Sequence, residues 1–470
     1  MTARVRALAL LAGLTCAAVS ALADENNDLD LIPEGAREPA APAAAPSTAP
    51  ATGQRIYVEN AFILSSLRQT LVPFPPPEPA NWQERLFLDL RKEWRLGDRL
   101  SLNLSDRLNL RAQDNLPIPN HENVVNDFRE AYASWEPLER AYLDFGRINL
   151  KSGVAAGFNP TDYFKTRAVV EPLSADPAVL REDRLGTLML RAQHIWEGGA
   201  ATAAFAPALY YPSPLYTDTA LPSFYPALDR TNAHDRLLVK GNADIVGDFS
   251  PELLLYREGD RTSVGTNLTE AIGQKIVAYA EWSGGRQSSL IDEALRYGRQ
   301  TGTLPANAPA AIAEDPRLHF QSALSIGGSY ATETKVTFNL EYHFYQPGFG
   351  RNDWANWFRA GRGTTSASPI ARELWFIRAY ALDQQQPLGE HSIFLRADWV
   401  DAFIPDLEIT GFINTDLLDG SSFAQVTADY YLSNAWTVGA LAAADLGRKH
   451  SDFGSLPQEA SFLLKLARYF

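Results

Sequence analysis

Residues 147–185 gather Arg147, Lys151, Lys165, Arg167, Arg181 and Arg184 with Asn159 and Asp162, in a stretch with little of the two-residue alternation found on either side. The run Gly157-Phe158-Asn159-Pro160-Thr161-Asp162 inside it is rich in turn-forming residues. No nucleophile and base are paired here, so the chemistry on offer is electrostatic. Folded into a water-filled bore, these cations would form a constriction whose field favours anions. As an external solvated loop, the same cations would be nearly cancelled by Asp162, Glu171, Asp176, Glu182 and Asp183. Arg85, Arg91, Arg107 and Arg111 form a second set, with even spacings of six and four that keep each pair on one face of a strand. With Asp89, Lys335, Glu341, Arg396 and Asp398 they describe a mixed, hydrated wall in which each charge can pair with an opposite neighbour.

Bond-making chemistry finds little support. The seven histidines lie outside any nucleophile or metal motif, and Gly-x-Ser-x-Gly and His-Glu-x-x-His are both missing. His450 and Asp452 read as a polar turn. The single cysteine, Cys16, falls in the N-terminal leader, so no thiolate or zinc site is expected, and no Gly loop after a strand suggests a nucleotide. No enzyme activity, metal or cofactor is therefore expected.

The elements that must position these charges are strands. From position 84 onward, alternation recurs in segments of about ten residues. Leu86, Leu88, Leu90 and Trp94 face away from Arg85, Asp89, Arg91 and Glu93; after the Leu96-Gly97-Asp98 turn, Leu100, Leu102, Leu104, Leu108 and Leu110 alternate with polar residues. The pattern returns at 335–345, 392–398, 407–414 and 424–442 and runs to Phe470. Average soluble strands have about five or six residues, whereas a tilted strand crossing a bilayer needs about 9–11. Trp94, Trp135, Trp282, Trp399, Trp436 and Tyr469 fall where such strands should end, as in the aromatic girdles of membrane barrels. Residues 198–217 carry no charge, but Pro207, Pro212 and Pro214 argue against a membrane helix and for a strand to about Leu209 followed by a loop.

Residues 1–23 read as a secretory signal, with Arg4 and Arg6 before an apolar run and Ala21-Leu22-Ala23 at the cleavage site. Removing the two arginines takes the formal charge from −14 to −16, which argues against a nucleic-acid partner. Residues 24–80 are assigned to an N-terminal segment. Its Ala/Pro tract at 33–53 cannot form a core, residues 55–67 look structured, and prolines follow at 73–79. The barrel is placed at 81–470. A plug of roughly 150 residues, as in 22-stranded active transporters, has no room ahead of it.

Ala460, Phe462, Leu464, Leu466 and Phe470 share one register, and this ending resembles the C-terminal assembly signature of Gram-negative outer-membrane β-barrel proteins. Arg468 departs from that pattern on the oily face, where a cation near the interface can snorkel. Gly146-Arg147 followed by the 157–162 run is similar to a family of uncharacterised porin-like proteins related in architecture to polysaccharide exporters. The resemblance implies an all-β fold, a transmembrane antiparallel up-and-down barrel, and counting the candidate strands along the chain gives about 16, with 14 to 18 as the range. Tight turns near Gly97, Glu197, Gly247, Thr332 and Asn434 belong on the periplasmic side. Counting back from Phe470, however, places the long 346–370 segment there too, against its length. The expected function is a porin-like channel in the cell outer membrane passing small hydrophilic solutes. The alternatives are a polymer exporter and a plugged structural barrel. Outer-membrane lipid, the barrel-assembly machinery and a second copy in a homo-oligomer are the expected partners.

Overall fold

The computed structural model describes residues 54–470 apart from 117, 119, 171, 216–223, 246–248, 307, 308, 313 and 316. The expected leader, the Ala/Pro tract, Glu171 and Gly247 lie outside the described residues. The first quarter of the ring consists of β1 (Gln54–Leu67), β2 (Trp82–Arg95), β3 (Leu100–Gln113), β4 (Val124–Leu138) and β5 (Ala141–Ile148). There follow β6 (Thr187–Trp196), β7 (Gly199–Ala206), β8 (Arg236–Ala243), β9 (Glu252–Glu258), β10 (Arg261–Ile272), β11 (Ile276–Gln287) and β12 (His319–Ala331). The last are β13 (Val336–Tyr345), β14 (His391–Trp399), β15 (Leu407–Asp416), β16 (Ser422–Ser433), β17 (Trp436–Leu446) and β18 (Gln458–Tyr469). Each pairs antiparallel with the next, and β1 closes the ring by pairing with both β2 and β18. Eighteen strands thus take the place of the central expectation of 16, at the top of the expected range. The barrel also begins at Gln54 rather than 81: residues 55–67 alternate like their neighbours, and only the prolines at 73–79 made them look detached.

Alternation sorts each strand into an inner and an outer row. On β2, Asp89 and Arg85 are buried inside, while Leu88 and Trp94 are exposed outside. The outer rows expose Leu88, Leu340 (58%) and Leu464, among many others. A belt of that extent is untenable in water and at ease in hydrocarbon, so the barrel spans a membrane. At its rim, Arg468 stacks on Trp436 and Phe470, with its guanidinium 5.1 and 4.4 Å from the ring centroids. Trp282 departs from the girdle expectation: it sits mid-strand in β11, beside Phe320.

Sidedness follows from connection length. The turns at 96–99, 139–140, 197–198, 332–335 and 434–435 lie at the end that holds both Gln54 and Tyr469. Gly97 turns with φ of +88°, a conformation that glycine adopts without penalty. The long connections 149–186, 207–235, 288–318 and 346–390 lie at the other, external end. The 346–370 segment is therefore external, contrary to the backward count: β14 to β18, an odd number of strands, separate it from the end of the chain and put it at the opposite side. Within the uncharged 198–217 stretch, 199–206 form β7 and 207–215 continue without strand or helix.

Among the described residues, five α-helices occur in these connections: α1 (Pro177–Glu182), α2 (Leu228–Thr231), α3 (Leu290–Gln300), α4 (Arg351–Gly361) and α5 (Pro369–Asp383). α3, α4 and α5 pack around Trp357, Leu374, Phe376 and Leu295 into an apolar core over the external mouth, and Trp375 donates to the backbone of Val72 and Pro73 in the first external connection. Sequence alternation gave no sign of this cap.

Candidate functional site: a segment pinned across the bore

The 149–186 segment leaves β5 and runs to the far wall, where two carboxylates meet its backbone. Glu281 of β11, with no exposed surface, accepts from the N–H groups of Val154 (2.9 Å), Ala155 (3.2 Å) and Thr161 (2.7 Å), and from the Asn159 amide (3.2 Å). The Thr161 hydroxyl lies 2.9 Å from both Glu281 and Asn267. Glu341 of β13 accepts from Ala156 N (2.5 Å), Gly157 N (2.9 Å) and the Tyr279 hydroxyl (2.6 Å), with His343 Nε2 at 2.7 Å. An ionised carboxylate is a pure acceptor, and these donor sets suit that form. Small residues allow the approach. A Cβ on Gly153, whose φ is +93°, would lie 2.6 Å from Glu281 Oε1, and one on Gly157 would meet the Phe394 ring at 2.8 Å.

The segment then follows the far side of the ring before it returns to the near wall. Tyr163 stacks on Tyr256 of β9 (4.3 Å) and Ser174 accepts from Gln425 of β16. Asp176 caps α1 and pairs with Arg396 of β14 (3.2 Å). Asp183 ends the crossing between Arg107 of β3 and Arg129 of β4, both at 2.8 Å, and these two arginines share Asp89 of β2. Contacts on β3 and β4 at one side and β9 to β16 at the other mean that the segment crosses the lumen.

Most of the predicted cations hold this crossing in place. Arg184 pairs with Asp162 at 2.6 Å, both buried. Arg167 pairs with Asp383 of α5, tying the segment to the cap. Lys151 pairs with Glu182, and Arg181 donates to the carbonyls of Ser152 and Gly153. Lys165 donates to the Asn159 carbonyl (2.7 Å) with its ammonium 4.4 Å from the Phe158 ring centroid; burial pulls its pKa down to about 8. Arg147 sits at the root of the segment and outside the bore: it belongs to the outward row of Phe145, donating to Gly186 O, the segment's last residue, and to Pro226 O. On the wall, Arg107 reaches the segment, Arg85 bonds Gln83, Arg111 bonds Glu122, and Arg91 keeps 40% of its side chain exposed. His450 lies against Phe358 while Asp452 bonds Arg378. Glu281, Arg129 and Asp89 were not singled out by sequence as partners of the segment, since each looks like any inward polar residue of a strand.

No protein-family model matches the chain, and no curated protein does. Among solved structures, Pseudomonas aeruginosa OccK8 (OprE) is similar over 89% of this chain and 97% of its own, at 11% identity and a TM-score of 0.48. P. aeruginosa OpdL is similar over 89% and 98%, at 12% and 0.47, and OpdK with vanillate over 89% and 98%, at 10% and 0.47. Values this low transfer no solute to the present chain, whose own residues carry the functional reading.

Proposed function

We propose that the protein is a porin-like outer-membrane channel for small hydrophilic solutes, with the 149–186 segment setting its aperture. The observation that carries this reading is a folded crossing, held at opposite walls by buried carboxylates and arginines, inside a ring of eighteen strands. Rings of 16–18 strands leave an aqueous bore. Because Arg107, Arg129, Arg167 and Arg184 are all paired with carboxylates, the field across the aperture is weak, and passage discriminates more by size than by sign. Such passage needs no catalytic step.

The breadth of the wall contacts favours a second reading, a plugged structural barrel. Swelling of liposomes carrying the purified protein separates the two. A channel gives uptake that falls steeply with solute size; liposomes that stay impermeable to the smallest sugars and amino acids would leave the plugged barrel.

A further inference from the structure

The external cap holds three arginines that the rest of the protein leaves without a carboxylate. On the neighbouring helices such cations are paired: Arg296 and Arg299 of α3 with Glu293 and Glu314, and Arg378 of α5 with Asp452. Arg351 and Arg359 of α4, and Arg362 just past its end, have no ion pair among the described residues, and Arg359 reaches only the Asn356 amide oxygen (2.9 Å). Arg351 opens the helix, where the backbone dipole disfavours a cation, and Arg359 and Arg362, though suited to the helix C-terminus, repel one another three residues apart. The three converge. With the rings of Trp354, Phe358 and His450 they line a cavity of about 480 Å³ between α4 and the external turns after β15 and β17. Leu418 and Asp419 form its other side. Asp419 accepts from the Ser421 N–H and hydroxyl and from the Asp452 N–H, and one carboxylate against three guanidinium groups leaves the cavity net positive. β15 and β17 end at Asp416 and Leu446, and Leu446 is still exposed in the outward row, so residues 418, 419 and 450 place the cavity at the level of the outer-leaflet headgroups.

We propose that this cavity binds a phosphorylated sugar, the guanidinium groups holding the phosphate and the rings covering the sugar. Guanidinium forks match phosphate oxygens, and a phosphate dianion suits three cations better than a single carboxylate does. Phe358 and His450, with ring centroids 5.4 Å apart, add flat apolar cover beside them, and the volume falls in the range of small-ligand pockets. Two sources bring this chemistry to that level: the phosphorylated headgroup of lipopolysaccharide, and a free sugar phosphate approaching the mouth. The inference stands whether the bore conducts or is plugged.

The test has two arms, both on the full-length protein in detergent. Calorimetric titration with glucosamine 1-phosphate, and with glucosamine as the control, reads the free ligand; native mass spectrometry of protein extracted from outer membranes reads retained lipopolysaccharide. The expected result is that the parent takes up at least one of the phosphorylated probes and not glucosamine. Uptake should fall at least about tenfold in the triple variant Arg351→Gln/Arg359→Gln/Arg362→Gln and change less than about twofold in Arg372→Gln, an exposed cation of α5 outside the cavity. Lipopolysaccharide lost from the triple variant identifies the headgroup as the source; titration of the sugar phosphate with no lipopolysaccharide retained identifies a free solute. Heat-modifiable migration verifies that each variant forms the barrel. A parent that binds neither probe, or a triple variant that binds both as the parent does, would overturn the proposal. So would an equal loss in Arg372→Gln, which would make the attraction a diffuse property of the cap.

Discussion

Glu281→Gln is the most informative single change, because the structure fixes its size. One carboxylate oxygen accepts from Thr161 N and faces its hydroxyl, while the other accepts from Val154 N, Ala155 N and the Asn159 amide. In the cheaper orientation the oxygen facing Thr161 becomes the amide nitrogen: the Thr161 N–H then faces a donor, its hydroxyl turns to accept while donating to Asn267, and the three bonds to the other oxygen lose their charge, together about two charge-assisted bonds. Hydrogen bonds to a charged group are worth roughly 1.5–3 kcal/mol each, so the loss is about 3–6 kcal/mol. Removing a buried charge returns part of that, leaving about 2–4 kcal/mol against docking of the 149–186 segment. The undocked population then rises roughly 30- to 1,000-fold. Trypsin reports it directly, since Lys151, Lys165, Arg167, Arg181 and Arg184 all lie in the segment, and cleavage of a transiently open state follows its population when closing is fast. Cleavage at these sites should accelerate by that factor while heat-modifiability shows the barrel intact. A rate within a factor of two of the parent would refute the anchoring role of Glu281.

Three further outcomes follow from the same geometry. Gly153→Ala should release the segment much as Glu281→Gln does, because the methyl group would lie 2.6 Å from Oε1 on a backbone that disfavours it; the same cleavage assay checks this. Asp162→Asn leaves Arg184 buried against a neutral partner and should lower docking by about 3–5 kcal/mol, whereas changing both residues to Leu should cost less, as thermal unfolding of the parent and the two variants in detergent would show. Lys165 makes docking pH-dependent. Its docked pKa of about 8 is below the ordinary 10.5, so between those values the undocked segment binds more protons, and docking strengthens as pH rises by roughly 3 kcal/mol at most, with no slope below pH 8. Channel flicker recorded from pH 7 to 10 should decline across that window in the parent and show no such slope in Lys165→Met.

How much was legible in the sequence depended on how local the cause was. Strands β2, β3, β13 and β18 declare themselves because inside and outside are one residue apart, so hydrocarbon on one side and water on the other write a period of two. β1 carries the same period, but its partners include β18, almost the whole chain away, and closure cannot be read from a neighbourhood. The cap was illegible for a related reason: α4 and α5 owe their burial to Trp354, Trp357 and Trp375 meeting each other and Val72 over the mouth. In the site, composition singled out the segment that crosses the bore and the cations that are paired along it, and left their use open. Glu341 was already visible as a wall charge; its service as an acceptor for Ala156 and Gly157 required the segment to cross the bore. Arg147 was misplaced because a one-residue shift of face turns a lumen position into an outward one.

The central claim, that a pinned segment sets the aperture of an open channel, is tested most directly by single-channel conductance in planar bilayers. The parent and Glu281→Gln would be compared under symmetric salt and then under a salt gradient. The account predicts a steady open level for the parent with a reversal potential near zero, and a larger, flickering conductance for the variant. A parent that passes no current, with current appearing only once the segment is released, would contradict it and make the protein a plugged barrel.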